Sequence, residues 1–276
     1  MYKVKSFLLQ EIEQGYVLQN GISTVLITNI RLVDFLKRVE KNRIKEVQEE
    51  FFLEVFKDES QSVIEFLLDN KVIKKIKKPR LNFNKIYLLT NDSKFSRLFN
   101  YATEDFEEKI KIFSLNNYKT IINKVDEDSL CIIFLNPFNL EKYIEVCNQL
   151  IETKMTLRTS FFYNHSIYIS NLYKKGWYNP CPKCFFYALE TQLRASISSS
   201  INFQTMMDLI YTKNSRFNVV SDLTHLDLNT IMTLLLKDIK FKENLNTINN
   251  VYELDLGTYR LTEDSSYHWE LCDCYE

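Results

Sequence analysis

The sequence predicts an α/β protein of two domains, a small winged helix-turn-helix over residues 1–79 and a larger domain built on a parallel sheet over residues 80–276. Three observations support this fold class. Short apolar runs separated by turn signals occupy the start of the chain, strand and helix patterns alternate from Asn84 onward, and two close cysteine pairs lie in the second domain. The segment Lys78-Pro79-Arg80 is the expected boundary between the domains.

The first domain begins with a predicted antiparallel meander. The runs KVKSFLLQEI, YVLQN and STVLIT are separated by turn signals at Gln14-Gly15 and Asn20-Gly21. Apolar residues then recur at helical spacing, which predicts helices over 30–39, 46–56 and 60–68. The segment DNKVIKKIKK that follows them predicts a short, wing-like strand.

The wing and its border are rich in basic residues, which suggests contacts with DNA phosphates. These residues are Lys71, Lys74, Lys75, Lys77, Lys78 and Arg80. The third helix, however, begins Ser60-Gln61-Ser62 and lacks the Arg or Asn that would read base edges. Nucleic acid is therefore a disfavoured partner. An exposed strand edge beside this helix suits an extended peptide that adds as a further strand.

The second domain shows the rhythm of parallel strands joined by crossover helices. The strands are predicted in KIYLLTND, KIKIFSL and LCIIFLNPF, with helical segments starting near residues 93, 116 and 140. A hairpin is expected around Asn164-His165, and more helices over 185–195, 203–212 and 227–239. The runs VYELDL, TYRLT and SYHWEL predict terminal strands, the last leading into Cys272 and Cys274.

The cysteine pairs Cys181-Pro182-Lys183-Cys184 and Cys272-Asp273-Cys274 have the spacing of a structural zinc site with four thiolate ligands. Disulfides and reduced spectator thiols are the alternatives. The N-terminus has no signal-peptide core, and no apolar run approaches the length of a membrane span. A cytoplasmic location is therefore expected, where paired cysteines are more often metal ligands than disulfides.

Composition excludes several kinds of function. The 35 Lys and Arg residues nearly balance the 36 Asp and Glu residues, so net charge indicates no polyanionic partner. The four glycines are scattered, which excludes both a GxGxxG fingerprint and a P-loop. His165, His225 and His268 belong to no recognisable catalytic arrangement, and Asp92 is expected to cap a helix. We therefore assign no catalytic residue.

Two segments of the second domain resemble a known family. The block GWYNPCPKCFFYALETQLRAS is similar to the segment after the sheet in ThiF-type proteins, which have the ubiquitin-activating-enzyme-like fold. The tail YELDLGTYRLTEDSSYHWELCDCYE resembles that family's closing hairpin and second zinc-binding pair. A winged-helix domain before such a fold is similar to the leader-binding partner proteins of thiazole/oxazole-modified peptide (microcin B-type) synthetases.

The resemblance implies a degenerate ThiF-like, Rossmann-type domain. The first strand lacks the family's glycine-rich turn, and Asn136 and Asn139 stand where an aspartate would be sought. The implied role is a non-catalytic scaffold that recruits the leader of a ribosomal precursor peptide. The implied partners are a YcaO-type cyclodehydratase, a flavin-dependent dehydrogenase and a second copy of the chain in a larger complex. A zinc-stabilised winged-helix DNA-binding regulator and a diverged ATP-dependent adenylating enzyme remain alternatives.

The leader is expected to bind the first domain as an added strand. The expected edge is formed by Ser23, Thr24, Val25, Leu26 and Ile27, and the expected helix contacts are Gln61, Ile64, Glu65 and Leu68.

Overall fold

The computed structural model describes residues 1–75, 81–122, 126–195, 202–240 and 247–275. The chain divides into two compact units, Met1–Lys78 and Pro79–Glu276. The predicted boundary segment and the basic residues Lys77, Lys78 and Arg80 lie outside the described residues. The mixed α/β class is confirmed, whereas the winged helix-turn-helix and the ThiF-like assignment stay predictions.

In its described residues, the first unit contains two small antiparallel sheets and three α-helices. Its elements are β1 (Tyr2–Val4), β2 (Leu8–Ile12), β3 (Gly15–Gln19), β4 (Thr24–Ile27), α1 (Ile30–Lys41), β5 (Glu46–Val47), α2 (Glu49–Phe56), α3 (Ser60–Asp69) and β6 (Ile73–Lys75). One sheet is the predicted meander, in the order β2-β3-β4, and the other has the order β5-β1-β6. The predicted wing-like strand corresponds to β6.

Helix α1 shows why these residues fold as they do. Asn29 caps its start by accepting a hydrogen bond from the backbone N–H of Leu32. Phe35 faces inward and packs with its ring centroid 5.1 Å from that of Phe52 and 5.4 Å from that of Phe56. These rings form the centre of a core that belongs to the first unit.

Two predictions for this unit were wrong in detail. The run KVKSFLLQEI forms two strands in different sheets, because Tyr2 and Lys3 pair with both β5 and β6. The helix expected over 46–56 begins at Glu49, since Glu46 and Val47 extend to pair with β1. In both places backbone pairing between distant segments overrides the local pattern.

The part of the second unit that the structure describes is built on a mixed eight-stranded sheet. Its strands are β7 (Lys85–Thr90), β8 (Lys109–Phe113), β9 (Ser129–Leu135), β10 (Thr156–Tyr163), β11 (Ser166–Ile169), β12 (Tyr173–Lys174), β13 (Asn250–Asp255) and β14 (Leu261–Ser265). Its helices are α4 (Ser93–Ala102), α5 (Lys119–Ile122), α6 (Leu140–Ile151), α7 (Pro182–Ala195), α8 (Phe203–Lys213) and α9 (His225–Lys240). The order is β14-β13-β11-β10-β9-β7-β8, with β12 paired to β10.

The centre of this sheet is parallel, as predicted. Strands β7, β8, β9 and β10 run in one direction, and β11, β13 and β14 add in antiparallel fashion. Every residue of β9 and β10 is buried, which is expected where helices cover both faces of a parallel sheet. The hairpin around Asn164-His165 is confirmed as the β10–β11 turn.

Three other predictions for this unit differ from the structure. The helix expected from residue 93 is shorter, ending at Ala102. The helix expected from residue 116 is described only over Lys119–Ile122, because the predicted segment continues into residues 123–125, which lie outside the described part of the chain. Strand β14 starts at Leu261, because the Asp255 carboxylate accepts hydrogen bonds from two backbone N–H groups in the preceding turn. The strand predicted over 266–271 is absent from these described residues. The ladder with β13 ends at the Ser265–Asn250 pair, and one further backbone hydrogen bond joins Ser266 N–H to the Asn249 carbonyl.

Among the described residues, no helix is long and apolar enough to cross a membrane.

Candidate cysteine centre and strand edge

The four predicted cysteines converge within the second unit. The Sγ atoms of Cys181, Cys184, Cys272 and Cys274 all lie within 4.8 Å of one another, and none is in a disulfide. The Sγ of Cys181 lies 3.7 Å from that of Cys184 and 3.6 Å from that of Cys272, and the Cys184–Cys274 separation is 3.4 Å. A metal bound about 2.3 Å from each of four tetrahedral sulfurs holds them roughly 3.8 Å apart. The cluster can therefore hold one metal ion.

The first pair is positioned at the start of α7. Cys181 immediately precedes this helix, and Cys184 lies in its first turn. The Tyr143 hydroxyl donates a 2.7 Å hydrogen bond to the carbonyl of Pro182, and the Asn171 side chain donates a 2.8 Å bond to the carbonyl of Pro180. These buried bonds fix the backbone on both sides of Cys181.

In the second pair, Cys272 directly precedes a short 3₁₀ turn, Asp273–Tyr275, and Cys274 lies within that turn. The Trp269 ring packs against that of Tyr187 on α7, with centroids 6.3 Å apart, and the Trp269 carbonyl accepts a 3.0 Å hydrogen bond from Cys272 N–H. This packing holds the end of the described chain against α7. Cys272 is buried and Cys274 half-buried, so solvent reaches the cluster from one side.

The cluster favours thiolate at Cys184. Cys184 accepts hydrogen bonds from the thiols of Cys181 and Cys274. The bond from Cys181 has the larger effect, and together the two bonds lower the pKa of Cys184 well below its usual range. The first turn of a helix also stabilises negative charge. The pKa of Cys181 rises, because its thiol proton is held in the bond to Cys184. A thiolate is the form that binds a metal.

His268 contacts the cluster from outside. Its Nε2 donates a 3.0 Å hydrogen bond to the Tyr178 carbonyl, and its Nδ1 lies 3.7 Å from the Sγ of Cys274. The structure places His268 beside the four thiols and oriented by the backbone, as is common for groups that surround metal ligands.

The strand order of the large sheet reverses between β7 and β9, and the carboxyl ends of these two strands form its switch point. Ligands of doubly wound folds bind at this switch point. Here Asn136 donates a 2.9 Å hydrogen bond to the Ser221 carbonyl and accepts one of 3.1 Å from Ser221 N–H. Phe138 and Val219 form a two-bond backbone bridge beside it. The segment containing Val219 and Ser221 is thus hydrogen-bonded to the residues that follow β9.

Asp92 at the same point is a helix cap, as predicted. Its carboxylate accepts a 2.8 Å hydrogen bond from Phe95 N–H in the first turn of α4. The bonds between Asn136 and Ser221 were not foreseen. They join residues 85 positions apart, and no local pattern marks Ser221 as a partner for a strand end.

The predicted peptide-binding residues lie on β4 and α3 in the first unit. Strand β4 is an edge of the meander, and in the part of the chain that the structure describes no strand pairs with its outer side. The Ser23 hydroxyl donates a 2.8 Å hydrogen bond to the Asn70 carbonyl, which ties the start of β4 to the end of α3. The edge and the helix are therefore adjacent at this corner.

These residues differ in exposure. Thr24 and Leu26 are exposed, Ser23, Val25 and Leu68 half-buried, and Ile27 and Ile64 belong to the core. Gln61 and Glu65 are exposed and joined by a 2.7 Å hydrogen bond between their side chains. The groups open to solvent are thus the outer backbone of β4 and the polar face of α3.

Comparison with known proteins gives a match over nearly the whole chain. The family model described as microcin B17-processing protein McbB matches residues 2–276. No curated protein sequence gives a significant match.

Solved structures show a similar fold. A chain of the E. coli microcin synthetase McbBCD complex is 18% identical, covers 99% of this chain and 100% of its own length, and superimposes with a TM-score of 0.73. A chain of the E. coli McbBCD complex with pro-MccB17 bound is 18% identical, covers 100% of this chain and 99% of its own length, and has a TM-score of 0.53. At 18% identity, this similarity establishes a shared fold and no more.

Proposed function

Since this chain belongs to the McbB family of microcin B17-processing proteins, we propose that it is the non-catalytic, leader-recruiting scaffold of a synthetase that forms thiazole or oxazole rings in a ribosomal precursor peptide. The family match over residues 2–276 carries this proposal. A similar chain occurs in a complex solved with pro-MccB17 bound. The partners are accordingly a precursor peptide, a YcaO-type cyclodehydratase, a flavin-dependent dehydrogenase and a second copy of this chain.

The open edge of β4 offers a way to hold the leader. An extended leader adds as a strand beside β4, and backbone hydrogen bonds supply much of the affinity. Its side chains on one face meet Gln61, Glu65 and Leu68 on α3, whereas Ile64 and Ile27 shape the site from the core. Holding the leader raises the concentration of the modifiable segment at the partner's active site.

The bonds at the switch point support a non-catalytic role. The backbone of Ser221 is bonded to Asn136 where a nucleotide would approach, and Asp92 is engaged as a cap. The chain also lacks clustered glycines that would cradle phosphates. These features favour the scaffold over an adenylating enzyme.

We assign zinc to the cysteine cluster. Cys181, Cys184, Cys272 and Cys274 supply four sulfur donors at separations that suit a tetrahedral ion. Four protein ligands leave no position for water, so the metal would be structural and join the C-terminal turn to α7.

Binding of a fluorescent leader tests the recruiting role. Reversing the charge of Glu65 with E65K should weaken leader binding by about tenfold, because the residue is exposed on the α3 face beside the edge. The matched control is E54K, which reverses an exposed charge on α2. Thermal stability and metal content should stay unchanged in both. Equal leader affinity in E65K and E54K would contradict the proposed site.

A further inference from the structure

The second unit contains a cleft distinct from the cysteine cluster and the switch point. Helix α7 covers one side with Phe185, Ala188 and Leu189, and strands β13 and β14 form the other side. Its volume is about 140 Å³. An apolar cavity of roughly this size holds one benzene molecule, so the cleft accommodates a single side chain.

Two carboxylates line this cleft on the same face of the sheet. Glu253 pairs with Thr262, and Val251 pairs with Asp264, so Glu253 and Asp264 are diagonal neighbours on β13 and β14. Diagonal neighbours on one face lie roughly 7–8 Å apart, which leaves room for one cation in contact with both. Within the described residues, neither carboxylate forms an ion pair and no basic residue lines the cleft.

The carboxylate of Glu253 is held in place. Its Oε1 accepts hydrogen bonds of 2.9 Å from the Ser166 hydroxyl and 3.0 Å from the Tyr168 hydroxyl. Burial, together with the nearby Glu253 charge, raises the pKa of Tyr168, so the phenol keeps the proton that it donates. The hydroxyl of Ser266, also in the lining, is buried and has no hydrogen-bond partner in the described structure. The cleft thus offers two negative groups and a free hydroxyl beside an apolar wall.

This combination selects one ligand chemistry. An anion would be repelled by both carboxylates, and a purely apolar group would leave them without a counter-charge. An alkyl chain that ends in an ammonium or guanidinium satisfies both parts, since its stem packs on Phe185 and Leu189 while its charge reaches Glu253 and Asp264.

We propose that this cleft is a docking site for a lysine or arginine side chain of a partner polypeptide. Strand β14 favours a polypeptide over a free amine. It is the last strand of the sheet, is exposed along its whole length, and has no partner on its outer edge among the described residues. An extended segment that pairs with this edge carries side chains past Asp264. The acidic side chains on β14 match a basic segment.

Titration of the full chain with defined peptides tests the site. The probe is acetyl-Thr-Val-Lys-Val-Thr-amide, and its control contains norleucine, which keeps the stem and lacks the ammonium. Binding is followed by NMR of methyl groups labelled at Ala188, Leu189 and Val251. The lysine peptide should shift these methyls, and D264N and E253Q should each weaken its binding about tenfold. Asp264 is exposed, so D264N leaves the fold intact.

Glu263 supplies the matched control. It pairs with Tyr252 and therefore faces the opposite side of the sheet from Asp264. E263Q removes the same charge from the same strand, and peptide affinity should change less than twofold. Equal affinity for the norleucine peptide, an equal loss in E263Q, or no methyl shift would overturn the site. Equal affinity for acetyl-lysine methylamide would overturn the polypeptide as occupant and assign the cleft to small amines.

Discussion

Cys184 occupies the place in the cluster where a thiolate is best stabilised. It lies in the first turn of α7 and accepts hydrogen bonds from two neighbouring thiols, and both effects lower its pKa. Cys131 and Cys147, in contrast, are buried among apolar groups, and burial raises the pKa of each. The proximity of the Sγ atoms of Cys181, Cys184, Cys272 and Cys274, and not a shared pKa, separates these four from Cys131 and Cys147 in the core.

Replacing Cys272 with serine should release the metal. Three thiols remain, and because metal binding is coupled to the ordering of the C-terminal turn, Tm should fall by roughly 5 °C, or about 2 kcal/mol. Metal content by mass spectrometry should drop from about one zinc per chain to near zero. C131A is the control and should keep its zinc, since Cys131 lies on β9 and is not in the cluster. Protein purified without chelator that contains no zinc would contradict the assignment.

Gly15 occupies a backbone position that only glycine fits. Its φ is +142°, and a Cβ there would lie 2.8 Å from the carbonyl oxygen of Ile27 on β4. Both the conformation and the contact exclude a side chain.

The variant G15A should therefore destabilise the first unit by about 1–3 kcal/mol, as measured by denaturant unfolding. Gly21 provides the comparison, because a Cβ there would meet nothing within 4 Å. G21A should change the free energy of unfolding by about 0.5 kcal/mol or less. Similar values for the two variants would show that the β3–β4 contact is unimportant.

The pairing of β4 with β3 leaves alternate backbone groups of β4 on the outer edge of the meander. Asn20 N–H donates a hydrogen bond to the Ser23 carbonyl, so Asn20 and Ser23 form a hydrogen-bonded pair. Hydrogen-bonded and non-hydrogen-bonded pairs alternate along an antiparallel hairpin. Val25 opposite Leu18 is then bonded to β3, whereas the N–H and C=O groups of Thr24 and Leu26 point outward. A leader added to this edge would pair with Thr24 and Leu26.

Proline at Leu26 tests this pattern. L26P removes an outward N–H and leaves the bonds between β3 and β4, so leader binding should fall at least tenfold while the unit stays folded. L26A keeps the N–H and should lose far less, because strand addition depends mainly on the backbone. Fluorescence anisotropy with a labelled leader measures the affinity, and circular dichroism checks the fold. A larger loss in L26A than in L26P would contradict strand addition at this edge.

The elements that the sequence predicted correctly are those with a strong local signal. The helical spacing of α1 and the continuous apolar run of β9 each specify an element without outside help. The errors lie where pairing between distant segments decides the structure. Glu46–Val47 extends to pair with β1, and residues 266–271 follow the end of the β13–β14 ladder. The four cysteines could be predicted as a group because of their spacing, whereas Glu253 and Asp264 come together through a register that no local pattern encodes.

At the scale of the whole molecule, the two units have separate cores. The first is centred on residues such as Phe35, Phe52 and Phe56, and the second on the buried strands of the large sheet. All four clustered cysteines belong to the second unit, and the proposed leader edge belongs to the first. Leader recruitment and metal binding should therefore be separable.

A chain that lacks residues 1–78 tests this separation. It should fold, because the second unit has its own core and its own cysteine cluster, and it should hold about one zinc. It should bind the labelled leader at least a hundredfold more weakly than the full chain, because the β4 edge and α3 are gone. Metal analysis and anisotropy on the same sample give both values. Leader affinity equal to that of the full chain would move the recruiting site to the second unit, and loss of zinc would show that the cluster depends on the first.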